Sequence, residues 1–390
     1  MFQPGDLCNL LDENFFQRPS QIVGHVRVFT TWRGLGGSST NGLGNPQVLA
    51  TLFPPATVHQ NFLHIIERMT SLSRFSVDIG GTEHWVNKNA SLIFPPIWIN
   101  FGRSLNALEL KIPHDFIRNI LPTPGVTILK HLEIIHFHIV GIPRTQLEEE
   151  GSILLGRLPL FLADHRQTIK SFGFNIDTLG MPNISPFLSR LPKMPQLTHF
   201  RLKQDFNNLK WGHSDFSGLR HVLMTHGSYL NGFDIKFVAS ETNYPAPYIM
   251  FSDDCFHLLL PQLQHLTIDI RYIPEQYTLT IVPYIHQFRQ SLICLVILDS
   301  PWSIQRLRVL VDGFAPGGRL MKLTFPAFAF ESGLLVLLAT GLPMLYELNI
   351  GYRTFLPPQL YDGSPTIEEE ITQVGFCPIQ LDQRIPDTFF

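Results

Sequence analysis

Cysteine and charge are both scarce in this sequence. Its 390 residues include four Cys, at positions 8, 255, 294 and 377. None forms a Cys-x-x-Cys pair, so the spacing offers neither a zinc knuckle nor a disulfide framework, and reduced, buried thiols are expected. Charged residues are only 16% of the chain and the formal net charge is −3. That balance leaves no basic face for a phosphate backbone, so no nucleic-acid partner is expected. Long apolar runs are missing too. The best one, Gly333 to Leu342, stops at Pro343, about half of what a membrane span needs. The start, Met1-Phe2-Gln3-Pro4-Gly5-Asp6, lacks the basic-then-apolar order of a secretory signal. No membrane partner is expected, and the expected location is cytoplasmic or nuclear.

Recognisable catalytic and nucleotide-binding motifs are also lacking. The Gly-rich stretch Gly34 to Pro46 fits neither G-x-x-x-x-G-K-[ST] nor G-x-G-x-x-G. Gly212-His213-Ser214-Asp215-Phe216 lacks the last Gly of G-x-S-x-G. The sequence contains 16 His but no His-Glu-x-x-His. His136 and His138 share a strand face with no carboxylate beside them, short of the three or four ligands zinc requires. No catalytic residue, cofactor or metal is assigned, and the chain is read as non-enzymatic.

What the sequence does have is apolar content, 44%, arranged in a repeat. The pattern apolar-x-x-apolar-x-apolar occurs at Leu72/Phe75/Val77, Leu105/Leu108/Leu110, Leu129/Leu132/Ile134, Ile169/Phe172/Phe174 and Leu197/Phe200/Leu202. It continues at Leu230/Phe233/Ile235, Leu263/Leu266/Ile268, Leu292/Leu295/Ile297, Leu320/Leu323/Phe325 and Leu345/Leu348/Ile350. Successive starts are about 30 residues apart on average. The two positions flanking the middle of each motif are polar or small almost throughout; Ala107, Cys294 and Val296 are the apolar exceptions. This is the period-two alternation of a half-buried strand.

Between the strands the spacing turns helical. Asn61 to Met69, His114 to Leu121, Ser185 to Leu191, Phe216 to His226, Asp253 to Leu260, Val282 to Gln290, Ser303 to Gly313 and Glu331 to Ala339 read as helices. Ser303 and Asp253 stand at N-caps, and Gly313 at a helix end. Pro195, Pro261 and Pro343 each precede a strand's first Leu by two residues, fixing the corner where helix gives way to strand. A strand-plus-helix unit cannot bury both apolar faces alone, and stacking the units does so. The expected fold is an α/β leucine-rich-repeat solenoid, a horseshoe with a concave parallel sheet and helices on the convex side. Residues 1–62 form an N-terminal cap with a first strand and the Gly-rich insertion, 63–355 the solenoid, and 356–390 a C-terminal cap or tail. Thr82 to Pro96 is a second insertion between repeats. Glu148-Glu149-Glu150 and Glu368-Glu369-Glu370 read as helix starts.

The Leu-Pro-x-Leu-x-x-Leu-x-Leu phrasing at Leu260 to Ile268 and Leu342 to Ile350 resembles the leucine-rich repeats of F-box proteins. Leu7 to Leu11 and Pro19 to Val28 resemble the segment after the F-box in the F-box/leucine-rich-repeat proteins of mushroom-forming fungi. The resemblance runs over residues 7 to 355, and the F-box itself is absent. It implies the substrate-recognition part of a ubiquitin-ligase receptor, with a Skp-type adaptor as partner only if an F-box lies upstream.

The candidate site is the concave face, where outward side chains line a surface mixed in charge. It comprises Arg74, Glu109, Lys111, His131, Glu133, His199, Arg201, Lys203, Asp234, Lys236, His265 and Asp269. Such a surface suits a protein substrate or peptide. His131, His199 and His265 take equivalent strand positions in alternate repeats, about 10 Å apart across two strand steps, too far to share an ion. A monomer is expected. Two other readings remain open: a repeat-type regulator of an enzyme such as a GTPase, presenting Arg33 or Arg74, and a truncated product without activity.

Overall fold

The computed structural model describes residues 25–29, 72–78, 94–113, 117–123, 125, 129–140, 147–177, 184–205, 215–238, 251, 253–271, 281–298, 301–315, 317–330, 332–355 and 379–382. The Asn61 helix, the Gly-rich insertion, Arg33, Cys8, Cys377 and the second Glu triplet lie outside them. The chain divides into two compact units, residues 1–170 and 171–390.

In the first unit, β1 (His25–Phe29), β2 (Arg74–Asp78), β3 (Ala107–Pro113) and β4 (Ile134–Val140) pair in parallel, in chain order. Residues 94–101 are helical, followed by α1 (Ile117–Ile120) and α2 (Leu147–His165), which begins at the first Glu triplet. The expected insertion Thr82 to Pro96 thus runs into a helix. Its Trp98 is buried, sets its ring edge-on to Phe75 and donates its indole N–H to the Ile120 carbonyl at 2.8 Å.

In the second unit, β5 (Ser171–Asp177), β6 (His199–Asp205), β7 (Gly232–Val238) and β8 (His265–Arg271) are parallel in chain order. So are β9 (Cys294–Ile297), β10 (Lys322–Phe330), β11 (Glu347–Phe355) and β12 (Ile379–Asp382). The helices between them are α3 (Ser185–Leu188), α4 (Ser217–His226), a 3-10 turn (Asp254–His257), α5 (Ile281–His286), α6 (Ile304–Phe314) and α7 (Ser332–Gly341). Their apolar sides meet the inner face of the strands; Phe174, for example, packs 4.5 Å from Phe187 between ring centroids. Along that inner face Phe172, Phe200 and Phe233 stack at 6.1 and 6.0 Å.

All thirty apolar positions of the repeat are buried except one, Ile134. The exception marks a shift of register. Ile135 pairs with Leu108 and Phe137 with Leu110, so the third motif is Leu132/Ile135/Phe137. Ile134 faces outward opposite Ala107. The expected triplet caught three apolar residues, but the run Ile134-Ile135 offered two alignments, and the better one buries Phe137.

Seven of the described strands, β3, β4 and β7 to β11, are entered through a doubly used corner carbonyl. Ser73 O accepts from the N–H groups of Asn106 and Ala107, and Asn106 O from Glu133 and Ile134. In the second unit Thr198 O accepts from Asn231 and Gly232, Asn231 O from Gln264 and His265, and Gln264 O from Ile293 and Cys294. Ile293 O and Met321 O continue the series, all at 2.8–3.1 Å. Just ahead, the expected Pro corners are turns closed by Leu197 N–H to Met194 O, Leu263 N–H to Leu260 O and Leu345 N–H to Leu342 O, at 3.0–3.1 Å. Pro195, Pro261 and Pro343 fill the second turn position, for which their fixed φ is suited.

The cap expectations change in detail: Ser303 stands at the start of α6 without a side-chain cap bond. Asp253 does cap, its side chain accepting from Cys255 N–H at 2.9 Å, but the helix it starts is a single 3-10 turn. Gly313 lies inside α6 rather than at its end. A Cβ there would run into the His286 ring, whose Nε2 is 2.9 Å from the Leu310 carbonyl, so close helix packing is what glycine permits. Parallel strands in unbroken order, joined by helices on one face at about a thirty-residue period, make an α/β solenoid of leucine-rich-repeat type.

Candidate protein-binding face

On the outward face, alternate residues of neighbouring strands stand side by side at fixed register. The charges there pair with each other. In the first unit Lys111 reaches Asp78 at 3.0 Å and Arg74 lies 3.7 Å from Glu109. In the second, Arg201 is bonded to Asp234 at 2.8 Å, and Lys236 to Asp269 and Lys322 to Glu347 at close range. Arg201 and Asp234, Lys236 and Asp269, and Lys322 and Glu347 are direct register partners. Asp269 is nearly closed off from solvent. The candidate residues therefore largely form internal ion pairs.

His131 and Glu133 are corrections. Both precede β4, and Glu133 N–H bonds to Asn106 O at the corner. The outward positions of that strand include, beside Ile134, His136 opposite Glu109 and His138 opposite Lys111. His136 Nδ1 is 3.7 Å from the Glu109 carboxylate, while Glu133 instead pairs with Lys170 at 2.7 Å. The register shift at Ile134 accounts for both.

His199 and His265 do take equivalent positions, each opposite Gly232. Their ring centroids are 6.3 Å apart, not the 10 Å set by two strand steps, because the missing side chain at 232 lets the imidazoles converge. His199 Nδ1 lies 2.9 Å from the Thr198 hydroxyl. Burial first, then His265, lowers the His199 pKa, with Asp234 opposing. Cys294 is the next register partner of His265. Burial raises its pKa, keeping a thiol, and both Cys255 and Cys294 are free. Among the described residues, no group of three or more His, Cys, Asp or Glu is placed to hold a metal ion.

From β9 onward the face changes character. Val296 and Leu298 follow Cys294 on the outward side, and Thr324, Pro326 and Phe328 follow Lys322. Leu298 is 38% and Phe328 60% exposed. Pro326 lies past the end of β9 at Ile297; its carbonyl accepts from Trp302 N–H at 2.8 Å, and Trp302 bridges Ala327 at this edge. Gly351 lies opposite Pro326 on β11, with open space where a side chain would stand. None of these was on the candidate list. The signal available was that two of three breaks in the alternation, Cys294 and Val296, fall on one strand.

Comparisons with known proteins add little. No protein-family profile matches the chain. No curated protein matches its sequence. A solved structure that it resembles is the Rad7 and Elc1 complex in yeast, at 12% identity and a TM-score of 0.40. That match covers 75% of this chain and 66% of the other, so the chain spans just under two thirds of its length.

Elsewhere, a cleft of about 440 Å³ opens among the corners near Gln262, Gln287 and Arg319. Of the arginines named for enzyme regulation, Arg74 is engaged with Glu109. No described helix is long and apolar enough to cross a membrane.

Proposed function

We propose that this chain is a protein-binding module that takes a protein substrate or peptide on the outward face of its parallel strands and acts by binding rather than catalysis. The observation that supports this reading is an open sheet face. All-parallel sheets are ordinarily covered on both sides. Here the positions of Arg74, Glu109, Arg201, Asp234, Thr324 and Glu347 stay partly or fully exposed over strand after strand. An exposed strand surface within each unit suits docking. The finer reading is the substrate-recognition part of an F-box/leucine-rich-repeat ubiquitin-ligase receptor in the cytoplasm or nucleus, monomeric, with a Skp-type adaptor held by an F-box upstream.

Affinity capture with the full-length gene product tests both levels. Recovery of a Skp-type adaptor and a cullin is expected, and their absence would remove the ubiquitin-ligase reading. For any captured protein, Thr267→Arg on the strand face is expected to weaken binding and Met224→Arg on α4 to leave it unchanged. The reverse pattern would overturn the choice of face.

A further inference from the structure

We infer that His199 and His265 form a two-imidazole site for a divalent transition-metal ion of the Zn2+ class, clasping β6 to β8 across β7. The site stands independently of the protein-binding reading. The two rings approach each other over Gly232, with centroids 6.3 Å apart and planes 32° apart. A Zn–N bond of about 2.0–2.1 Å places an imidazole centroid about 3.2 Å from the ion, so two rings on one ion have centroids at most about 6.4 Å apart. The observed separation falls inside that limit, and a tetrahedral N–Zn–N angle asks for a further approach of about 1 Å. Both side chains are exposed, so an ion can reach them and small rotations can close the gap. Glycine inside a strand often marks a close approach, and here it is the approach of these two rings.

The ring nitrogens are disposed for ligation. His199 Nδ1 lies 2.9 Å from the Thr198 hydroxyl, and the Cδ2–Nε2 edge of the ring lies over Gly232, where a Cβ would stand 3.0 Å from Nε2. With the Nδ1 proton donated to Thr198, Nε2 keeps its lone pair. Such an outer hydrogen bond fixes the tautomer and orientation of metal-binding imidazoles. The His265 ring makes no hydrogen bond or ion pair with the described residues. Burial and His265 lower the His199 pKa, which favours the neutral ring that binds an ion. The next outward residue of β7, Asp234, is committed to Arg201. Imidazoles without a free carboxylate suit Zn2+, Ni2+ or Cu2+ rather than Mg2+ or Ca2+. Cys294 is the register partner of His265, but burial holds its thiol protonated. Water completes the ion's coordination.

The test titrates Zn2+ alone into the metal-free full chain, by calorimetry and with the histidine ring protons followed by NMR. One saturable ion is expected to shift the His199 and His265 rings together and to raise the thermal midpoint by mass action. His199→Asn and His265→Asn change exposed side chains, so each is expected to fold with an unchanged metal-free midpoint. Each is expected to lose that ion and the rise in midpoint. Cys294→Ala, and His138→Ala in the first unit, are expected to keep both. No saturable binding, a shift confined to one of the two rings, or an ion retained in either Asn variant would overturn the site. Loss of the ion in Cys294→Ala would make a thiolate part of it and overturn the two-imidazole assignment; loss in His138→Ala would place the ion elsewhere.

Discussion

His199 and His265 face each other across Gly232, their ring centroids 6.3 Å apart. A Cβ at 232 would strike the His199 ring. In Gly232→Ala the ring is expected to swing toward water, at small cost in stability since the obstacle is the end of a side chain. The His199 pKa is held down by burial and by His265, so it should rise toward its ordinary value. Titration of the His199 ring protons by NMR checks this, and an unchanged value would show that the convergence does not set it.

His226 predicts a pH dependence of stability. It is buried, lies 2.8 Å from the Tyr229 hydroxyl through Nδ1, and its pKa is lowered from 6.5 to about 4, by burial first and then by His221 and Lys193. Between those values the unfolded chain takes up a proton that the folded chain refuses. Stability is therefore complete above 6.5 and declines as pH falls toward about 4. Burial also lowers His165 and His199, which adds to the slope. Thermal midpoints measured from neutral to acid pH should fall, and should fall less steeply in His226→Asn.

Burial separates two ion pairs of similar appearance. Lys111 and Asp78 keep 40% and 24% of their side chains exposed, whereas Asp269 is nearly closed off around Lys236. Lys111→Ala is expected to cost under about 1 kcal/mol, and Lys236→Ala at least about 2 kcal/mol, since it leaves a buried carboxylate without its cation. Chemical denaturation compares them. Arg201→Glu is expected to destabilise too, by setting a second carboxylate opposite Asp234.

Gly218 opens a close approach of α4 to α3. Its N–H donates to the Ser185 hydroxyl at 3.2 Å, and a Cβ at 218 would collide with the Ser185 backbone. Backbone cannot swing aside as a side chain does. Gly218→Ala is expected to cost about 1–3 kcal/mol although alanine favours helix. Calorimetry showing a stabilised variant would refute it.

The strands were legible because alternation is strict wherever one face is dry, and Phe200, Phe233 and Leu266 admit a single register. It was ambiguous at Ile134-Ile135, where Leu132 can be read as the first or the middle apolar position and the motif was placed three residues early. That slip carried His131 and Glu133 onto a face they do not occupy. Helix ends were blurred because Gly313 looks like a terminator by composition and serves as a spacer by packing. For the site, charge signs in sequence could not reveal that Arg201 and Asp234 spend their charge on each other, since pairing depends on register between strands 33 residues apart. The exposure of Phe328 was hidden for the opposite reason: an aromatic residue in a strand reads as core unless its parity is known.

The corner carbonyls couple each coil only to the one before it. The repeated bonds join main-chain atoms, and Ser104 and Thr168 add side-chain bonds of 2.9 and 2.7 Å to the Leu72 and Leu132 carbonyls of the preceding coil. Gain or loss of a single coil within either unit would leave the main-chain bonds of the remaining junctions intact.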